Sequence, residues 1–401
     1  MPDIWPPLPI VLSHSFEKSG RSGHDNIIAA LEHNNRIRKL ILLRISSSQL
    51  EKVLATIQQP FPALKNLELG FEDEAALPVV DPDLFLGGSA LGLQKLRLEC
   101  IPFPRLPKLL LSATHLVKLH LMRIPHSGYI SPDEMVTCLS VLTRLDSLVI
   151  NFKSPQSCPD RRSRFPPPPT RTLLSVLTHL WFVGVSEYFE DFLARIDAPL
   201  LKSLWIKFFH QLIFDTPQFT QFVYRTPKFK AHDIIANVNF SDSHFAITTQ
   251  AVGAILDLGI SCSQSDWQLS SLAQVCSSSS LQSLIPAVKY LHFEDRYLPR
   301  HWQDDIEGDQ WLEVLHPFIA VTDLYISQEF LPRIMPALRE LTGERVAEVL
   351  PALPTLFLDD PHPPGPVQEA IEQFVAARQL TGHPIAISQW EREWEIDSEE
   401  D

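Results

Sequence analysis

Glycine is scarce, 14 in 401 residues, about half its usual share. Collagen-like repeats and Gly-rich linkers are therefore excluded as the organising feature. Cysteine is sparse and odd in number: Cys100, Cys138, Cys158, Cys262 and Cys276. No CxxC pair occurs, so no zinc or thioredoxin-type pair is written into the chain. Buried free thiols in a reducing compartment are expected instead. No run of about 18 apolar residues exists, which excludes a membrane-spanning helix. A surplus of basic charge is also missing. Lys and Arg number 34 against 48 Asp and Glu, a formal net charge of -14. Duplex binding gains affinity by neutralising phosphates with surplus cations. The expected partner is thus a protein, with no nucleic acid and no membrane. The first 20 residues carry Asp3 and four prolines where a secretion signal has basic residues. The expected location is cytoplasmic or nuclear.

What is present is a repeat. The pattern apolar-x-x-apolar-x-apolar recurs as Ile37-Leu40-Leu42, Leu64-Leu67-Leu69, Leu93-Leu96-Leu98 and Leu116-Leu119-Leu121. It continues as Leu145-Leu148-Ile150, Leu177-Leu180-Phe182, Leu201-Leu204-Ile206 and a degenerate Phe229-His232-Ile234. Val288-Leu291-Phe293, Val321-Leu324-Ile326 and Leu353-Leu356-Leu358 follow. Starts are 23 to 33 residues apart, except for one gap of 59 that leaves room for a weak unit near Phe245-Ala246-Ile247. Two apolar side chains two apart share one face of a short strand. The third, three residues earlier, closes the turn into the same core. One such unit cannot bury its face alone, so units stack. The pattern resembles the leucine-rich repeat, whose period is roughly 20–29 residues. The expected fold is α/β: an irregular leucine-rich-repeat-like solenoid of about 10–12 repeats, with a parallel concave sheet and helices on the convex side.

The segments between strands support helices. Asp25–Leu31 reads as one. Ser48 and Glu51 stand at capping-box spacing before Leu50, Val53 and Leu54. Ser131-Pro132-Asp133-Glu134 opens another, with Val136, Leu139 and Leu142 inward. Val185–Leu193 and Trp311–Leu315 are similar. Pro60, Pro62, Pro199, Pro227 and Pro351 stop helices before the next strand. The expected organisation is an N-terminal extension over 1–24, the solenoid over 25–365, a capping helix and strand over 366–390, and an acidic tail over 391–401. The closing helix over Pro366–Leu380 puts Val367, Ile371, Phe374 and Val375 inward. A loop insertion over 153–171 holds Arg161, Arg162, Arg164 and the Pro166–Pro169 run.

Several segments carry a family resemblance. Trp5-Pro6-Pro7-Leu8-Pro9-Ile10, Asp25–Asn34, Phe61-Pro62-Ala63-Leu64 and Phe374–Ala386 resemble a large family of F-box proteins from mushroom-forming fungi. The resemblance covers nearly the whole chain. It implies the substrate-receptor half of a cullin–RING ubiquitin ligase. In that family a short F-box precedes the segment that resembles Asp3–Ile10, and no residue here resembles the F-box itself. The ligase adaptor is therefore an expected partner only if an F-box is encoded upstream. No residue with a chemical role is carried over.

A binding face follows from the register. The residue between the two core apolar positions points the opposite way. That row reads Ile41, Glu68, Arg97, His120, Val149, Trp181, Trp205, Asp233, His292, Tyr325 and Phe357. The row before it includes Lys39, Asn66, Lys95, Lys118, Ser147, His179 and Ser203. Lys95, Arg97, Lys118 and His120 make a basic patch. His179, Trp181 and Trp205 make an aromatic platform, the composition of a binding hot spot. Enzyme signatures are absent: no GxSxG, GxxxxGK[ST], GxGxxG or HExxH occurs. Asp305, Glu307 and Asp309 alternate like calcium-loop ligands, but Gln310 and His316 stand where such a loop needs Gly and Glu. His362 follows Asp359-Asp360 with no second ligand near. No catalysis, cofactor or metal is expected.

Overall fold

The computed structural model describes residues 8–15, 24–71, 85–102, 106–158, 170–209, 215–229, 234–241, 244–251, 253–261, 266–278, 284–294, 308–341, 345–360 and 365–390. Asp233, Cys262, Asp305, Glu307, His362, the basic Pro166–Pro169 segment and the tail 391–401 lie outside the described residues. The chain divides into two compact units: Met1–Phe209 with Arg225–Pro227, and His210–Tyr224 with Lys228–Asp401.

The first unit holds strands β1 (Ile10–Ser15), β2 (Ile37–Ile45), β3 (Asn66–Phe71), β4 (Lys95–Glu99) and β5 (Lys118–Ile124). It continues with β6 (Ser147–Phe152), β7 (Thr172–Leu173), β8 (His179–Gly184), β9 (Ile196–Asp197) and β10 (Ser203–Phe209). All but β7 and β9 form one parallel ladder in chain order, while β7 and β9 pair with each other. The segment read as an N-terminal extension thus contains a ladder strand.

The repeat sets the register. Leu67, Leu96, Leu119, Leu148, Leu180 and Leu204 are partners from strand to strand, as are Leu69, Leu98, Leu121, Ile150, Phe182 and Ile206. None of these twelve is more than 4% exposed, so the two lines are the core. The leading leucine closes a turn: Leu93, Leu116 and Leu145 each donate backbone N–H to the carbonyl three residues back, at 3.1, 2.9 and 3.1 Å. Three strands carry a left-handed residue two positions past the core pair: Arg44 (φ 56) and Arg123 (φ 50) sit at register shifts within β2 and β5, and Cys100 (φ 57) directly follows β4. Non-glycine residues adopt that region at a cost of about 1–2 kcal/mol, so the stacking of whole repeats sets this bend.

Helices link the strands. The helix Ser47–Thr56 starts earlier than its sequence signals suggested. Its cap is Ser46, whose backbone N–H donates to Gln49 Oε1 at 2.9 Å, in place of the expected Ser48 and Glu51. The helix Pro132–Val141 begins with Pro at its first position, as expected, and also carries a capping box, with Ser131 Oγ accepting from the Glu134 N–H at 3.3 Å. It packs on Leu106–Ser112 at one side and Ser186–Leu193 at the other. Behind β6, β8 and β10 lies an aromatic cluster. Phe182 stacks on Phe189 with centroids 4.6 Å apart and on Tyr188 at 5.8 Å, and meets Phe152 and Phe208 edge-on at 6.3 Å each. Gly184 borders this cluster. A Cβ there would stand 2.6 Å from Phe182 Cζ and 2.9 Å from Phe152 Cδ2, so only glycine fits.

The second unit holds β11 (Ile234–Ser241), β12 (His244–Ala251), β13 (Ala254–Ser261), β14 (Val288–Glu294), β15 (Asp323–Ile326), β16 (Thr355–Leu358) and β17 (Ala386–Gln389). Its order is β13-β12-β11-β14-β15-β16-β17. Here the all-parallel expectation fails, because β12 runs antiparallel to both neighbours. The 59-residue gap therefore holds a three-stranded meander where one weak repeat was expected. The degenerate unit also shifts. Ala236 and Val238 pair with Leu291 and Phe293 and are fully buried, so they replace His232 and Ile234 as the core pair. Leu256 and Leu258 on β13 supply a further buried pair that the repeat scan missed. Gly253, at φ 76, turns the chain between β12 and β13.

The closing helix forms over Pro366–Leu380 and buries Ala370, Ile371, Phe374 and Arg378, with Val367 and Val375 half-buried. Cys138 and Cys276 are buried thiols in no disulfide. Burial, then the Glu134 charge, pushes the Cys138 thiol up to about 11, and burial raises that of Cys276. Among the described residues no helix is long and apolar enough to cross a membrane.

Candidate functional site

In the first unit the core lines leave the alternate positions on the opposite sheet face. One such row is Lys95, Lys118, Ser147, His179 and Ser203, partners across β4, β5, β6, β8 and β10. The next is Arg97, His120, Val149, Trp181 and Trp205 on the same strands. All seven residues expected from sequence to form the face lie on these two rows.

The structure divides them. Lys118, His120, His179, Trp181 and Trp205 line one open groove of about 560 Å³, together with Asp146, Ser147, Val149 and Ser203. Trp181 is 43% exposed and Trp205 44%, a large apolar surface to leave in water. Trp205 Nε1 donates to Ser203 Oγ at 2.8 Å, which fixes its ring.

Lys95 and Arg97 stand apart. Lys95 Nζ lies 2.8 Å from Glu68 Oε1, and Arg97 Nη2 lies 2.9 Å from Glu99 Oε2. The expected basic patch is thereby corrected, because its β4 cations are neutralised by neighbours. Glu68 is itself buried. Burial raises its carboxyl, but the Lys95 hydrogen bond and charge, Asn66 and Arg97 together hold it below the usual 4.5. His120 does not add charge either. Burial, then Lys95, Arg97 and Lys118, pushes its imidazole down to about 4. The neutral ring lies 3.1 Å from Ser147 Oγ through Nε2. A base so weak at neutral pH is poorly matched to proton abstraction. Lys118 is left as the groove's cation without an ion pair among the described residues.

Sequence reading missed a hydrogen-bonded chain that joins two groove residues, Asp146 and His179, through Thr178. Thr178 Oγ1 contacts both Asp146 Oδ1 and His179 Nδ1, the latter at 2.6 Å. A carboxylate only accepts, so the hydroxyl proton goes to Asp146 and His179 Nδ1–H donates to Thr178. That contact leaves the Nε2 of His179 for the groove. The signal was available: Asp146 and Thr178 each directly precede a row residue.

The His120 shift has a measurable consequence. The unfolded chain takes up this proton near pH 6.5 and the folded chain only near 4. The unfolded state thus binds more protons between those values, so this stability is present above about 6.5 and is lost as pH falls to about 4. Glu68, with its lowered carboxyl, loses its contribution as pH falls below about 4.5. His120→Gln retains a hydrogen-bonding group and cannot titrate. Its urea midpoint should change less than the wild type's between pH 6.5 and 4. Equal slopes would show that His120 titrates normally.

The second unit carries a different face. His292, Tyr325 and Phe357 stack along it at 4.1 and 4.4 Å, with interplanar angles of 13° and 8°. Trp390 meets His292 and Tyr325 edge-on at 5.7 and 5.4 Å, so this ladder is already covered by the chain's own indole. Thr248 Oγ1 donates to Asp257 Oδ2 at 2.6 Å further along the row. Among the described residues no group of three or more His, Cys, Asp or Glu is placed to hold a metal ion.

No family model matches the chain, and no curated protein matches it. Among solved structures, the leucine-rich repeat-containing protein LegL7 from Legionella pneumophila aligns at 12% identity, over 90% of this chain and 97% of that one, with a TM-score of 0.33. A score of 0.33 is too low to transfer either fold or function to this chain.

Proposed function

We propose that the chain is a protein-binding repeat scaffold of the leucine-rich-repeat kind. Its Trp181–Trp205 groove holds a partner that it does not chemically change. The observation that carries this reading is the pair of indoles, each more than two-fifths exposed and side by side in a groove with Lys118 and His179. Buried aromatic anchors dominate interface energies. In this leucine-rich-repeat reading the open sheet face that carries the groove is the concave, partner-binding one.

The test is selection of a random displayed-peptide library on wild-type protein and on the Trp181→Ala/Trp205→Ala double variant. Peptides enriched on the wild type should bind the variant at least about 30-fold more weakly, the scale of a 2 kcal/mol hot spot. The circular dichroism of the variant should be unchanged, because both side chains point away from the core. Equal binding would remove the groove as the site.

The finer reading is the substrate-receptor part of an F-box-type ubiquitin ligase, acting in the cytoplasm or nucleus. Its support is the resemblance of Asp25–Asn34 and Phe374–Ala386 to that family. Buried reduced thiols at Cys138 and Cys276 suit those compartments. The alternative is the same scaffold working without a ligase. Pull-down with the cullin–RING adaptor subunit separates the two, using the chain with and without any residues encoded upstream. Adaptor binding in either form supports the receptor, and its absence in both leaves the free scaffold.

A further inference from the structure

The two ends of the groove differ in chemistry. At the β5 end stands Lys118, exposed and without an ion pair among the described residues, while the β4 cations beside it are held by Glu68 and Glu99. His120, next to it, carries no charge near neutral pH. At the β8–β10 end stand Trp181 and Trp205. Between them the row offers short polar groups, Ser147 and His179.

The register supplies a ruler. Trp181 lies two strand spacings and Trp205 three from β5, about 10 and 14 Å, and both sit two residues further along than the register partners of Lys118, so the diagonals are about 12 and 16 Å. An extended peptide advances about 3.3 Å per residue and alternates its side chains between two faces, so it covers those spans in about four and five residues, and four puts both anchors on one face. A single positive group suits a single carboxylate. A polyanion would meet the repulsion of a chain with a net charge of -14.

We propose that the groove takes an extended peptide lying across the strands, with an Asp or Glu side chain at Lys118 and an aromatic side chain four positions away against Trp181 and Trp205. This rests on the reading of the groove as the binding site. It adds the chemical class of the partner and a spacing rule. Ser147 and the Nε2 of His179 then face the peptide backbone between the two anchors, where they add orientation and little sequence preference.

The experiment uses the full chain and fluorescein-labelled peptides with one Glu and one Phe, separated by one to six Gly or Ser residues and read by anisotropy. Affinity should peak with three intervening residues, about tenfold above the shortest and longest spacers. Glu→Gln in the best peptide should weaken binding to the wild type about tenfold and leave binding to Lys118→Gln unchanged. Trp205→Ala should weaken all peptides alike. Equal affinity at every spacing would overturn the proposal, as would a Glu→Gln effect that survives Lys118→Gln. Peptides that need Trp205 but ignore the Glu would overturn the acidic anchor and leave the groove as the site. Binding of phosphoserine peptides alone would overturn the carboxylate. Binding that no groove substitution weakens would overturn both the proposal and the site beneath it.

Discussion

Phe182→Ala should destabilise the chain by about 3–5 kcal/mol, the range for emptying a packed aromatic site. Phe182 is fully buried and touches four rings, two stacked and two edge-on. Each aromatic pair adds about 0.5–1.5 kcal/mol beyond its buried area. Relaxation offers little relief, because the rings are held by β6, β8, β10 and the helix Ser186–Leu193. Phe182→Leu should cost much less, since it keeps most of the apolar volume. The check is the urea midpoint at constant slope. A loss below about 1 kcal/mol for the alanine variant would mean that the cluster collapses into the void. The contrast with Trp181, one residue earlier on the same strand, is part of the result. Trp181→Ala should leave stability within about 0.5 kcal/mol, as an exposed position does.

Arg378 is the second large case. It lies on the inner stripe of the closing helix and is 1% exposed. Its Nη1 donates to the Val346 carbonyl at 2.9 Å and its Nη2 to the Leu353 carbonyl at 3.1 Å. The two arms tie the helix to the segment that leads into β16. Arg378→Ala removes both donors and opens a cavity, and should cost about 3–4 kcal/mol. Arg378→Met refills most of the space but leaves two carbonyls without this donor, at about 1–3 kcal/mol. The difference between the variants measures the cavity, and the methionine value measures the hydrogen bonds. Arg378→Lys should not rescue, because one ammonium lacks the planar fork that reaches both oxygens. A neutral methionine variant would show that burying the charge offsets what the donors contribute.

Much of the first unit was legible in the sequence. Leu, at three fixed positions per repeat, marks the strands from Ile37 to Ile206, and the register follows from them. The second unit was less legible. Ala236 and Val238 bury as fully as leucines but are small and common, so the scan slid to His232 and Ile234. The strands β12 and β13 join through a turn at Gly253, and a search for helix-spaced repeats passes over a hairpin. At the site, the Arg97–Glu99 pair was readable, since residues two apart on a strand share a face. The Lys95–Glu68 pair needs a diagonal between strands that periodicity does not supply. Arg378 falls on the helical spacing from Ile371 and Phe374, yet its place in the core depends on two carbonyls brought there by the fold.

The reversed strand β12 also has a geometric consequence. It enters and leaves through hairpin connections, so it widens its layer by one strand spacing and brings no helix of its own. Its pairings with β11 and β13 join residues close in sequence, whereas each parallel pairing in this unit spans a connection that contains a helix. Closing a short loop costs less chain entropy than closing a long one. The meander is therefore the part of this ladder that can form most locally.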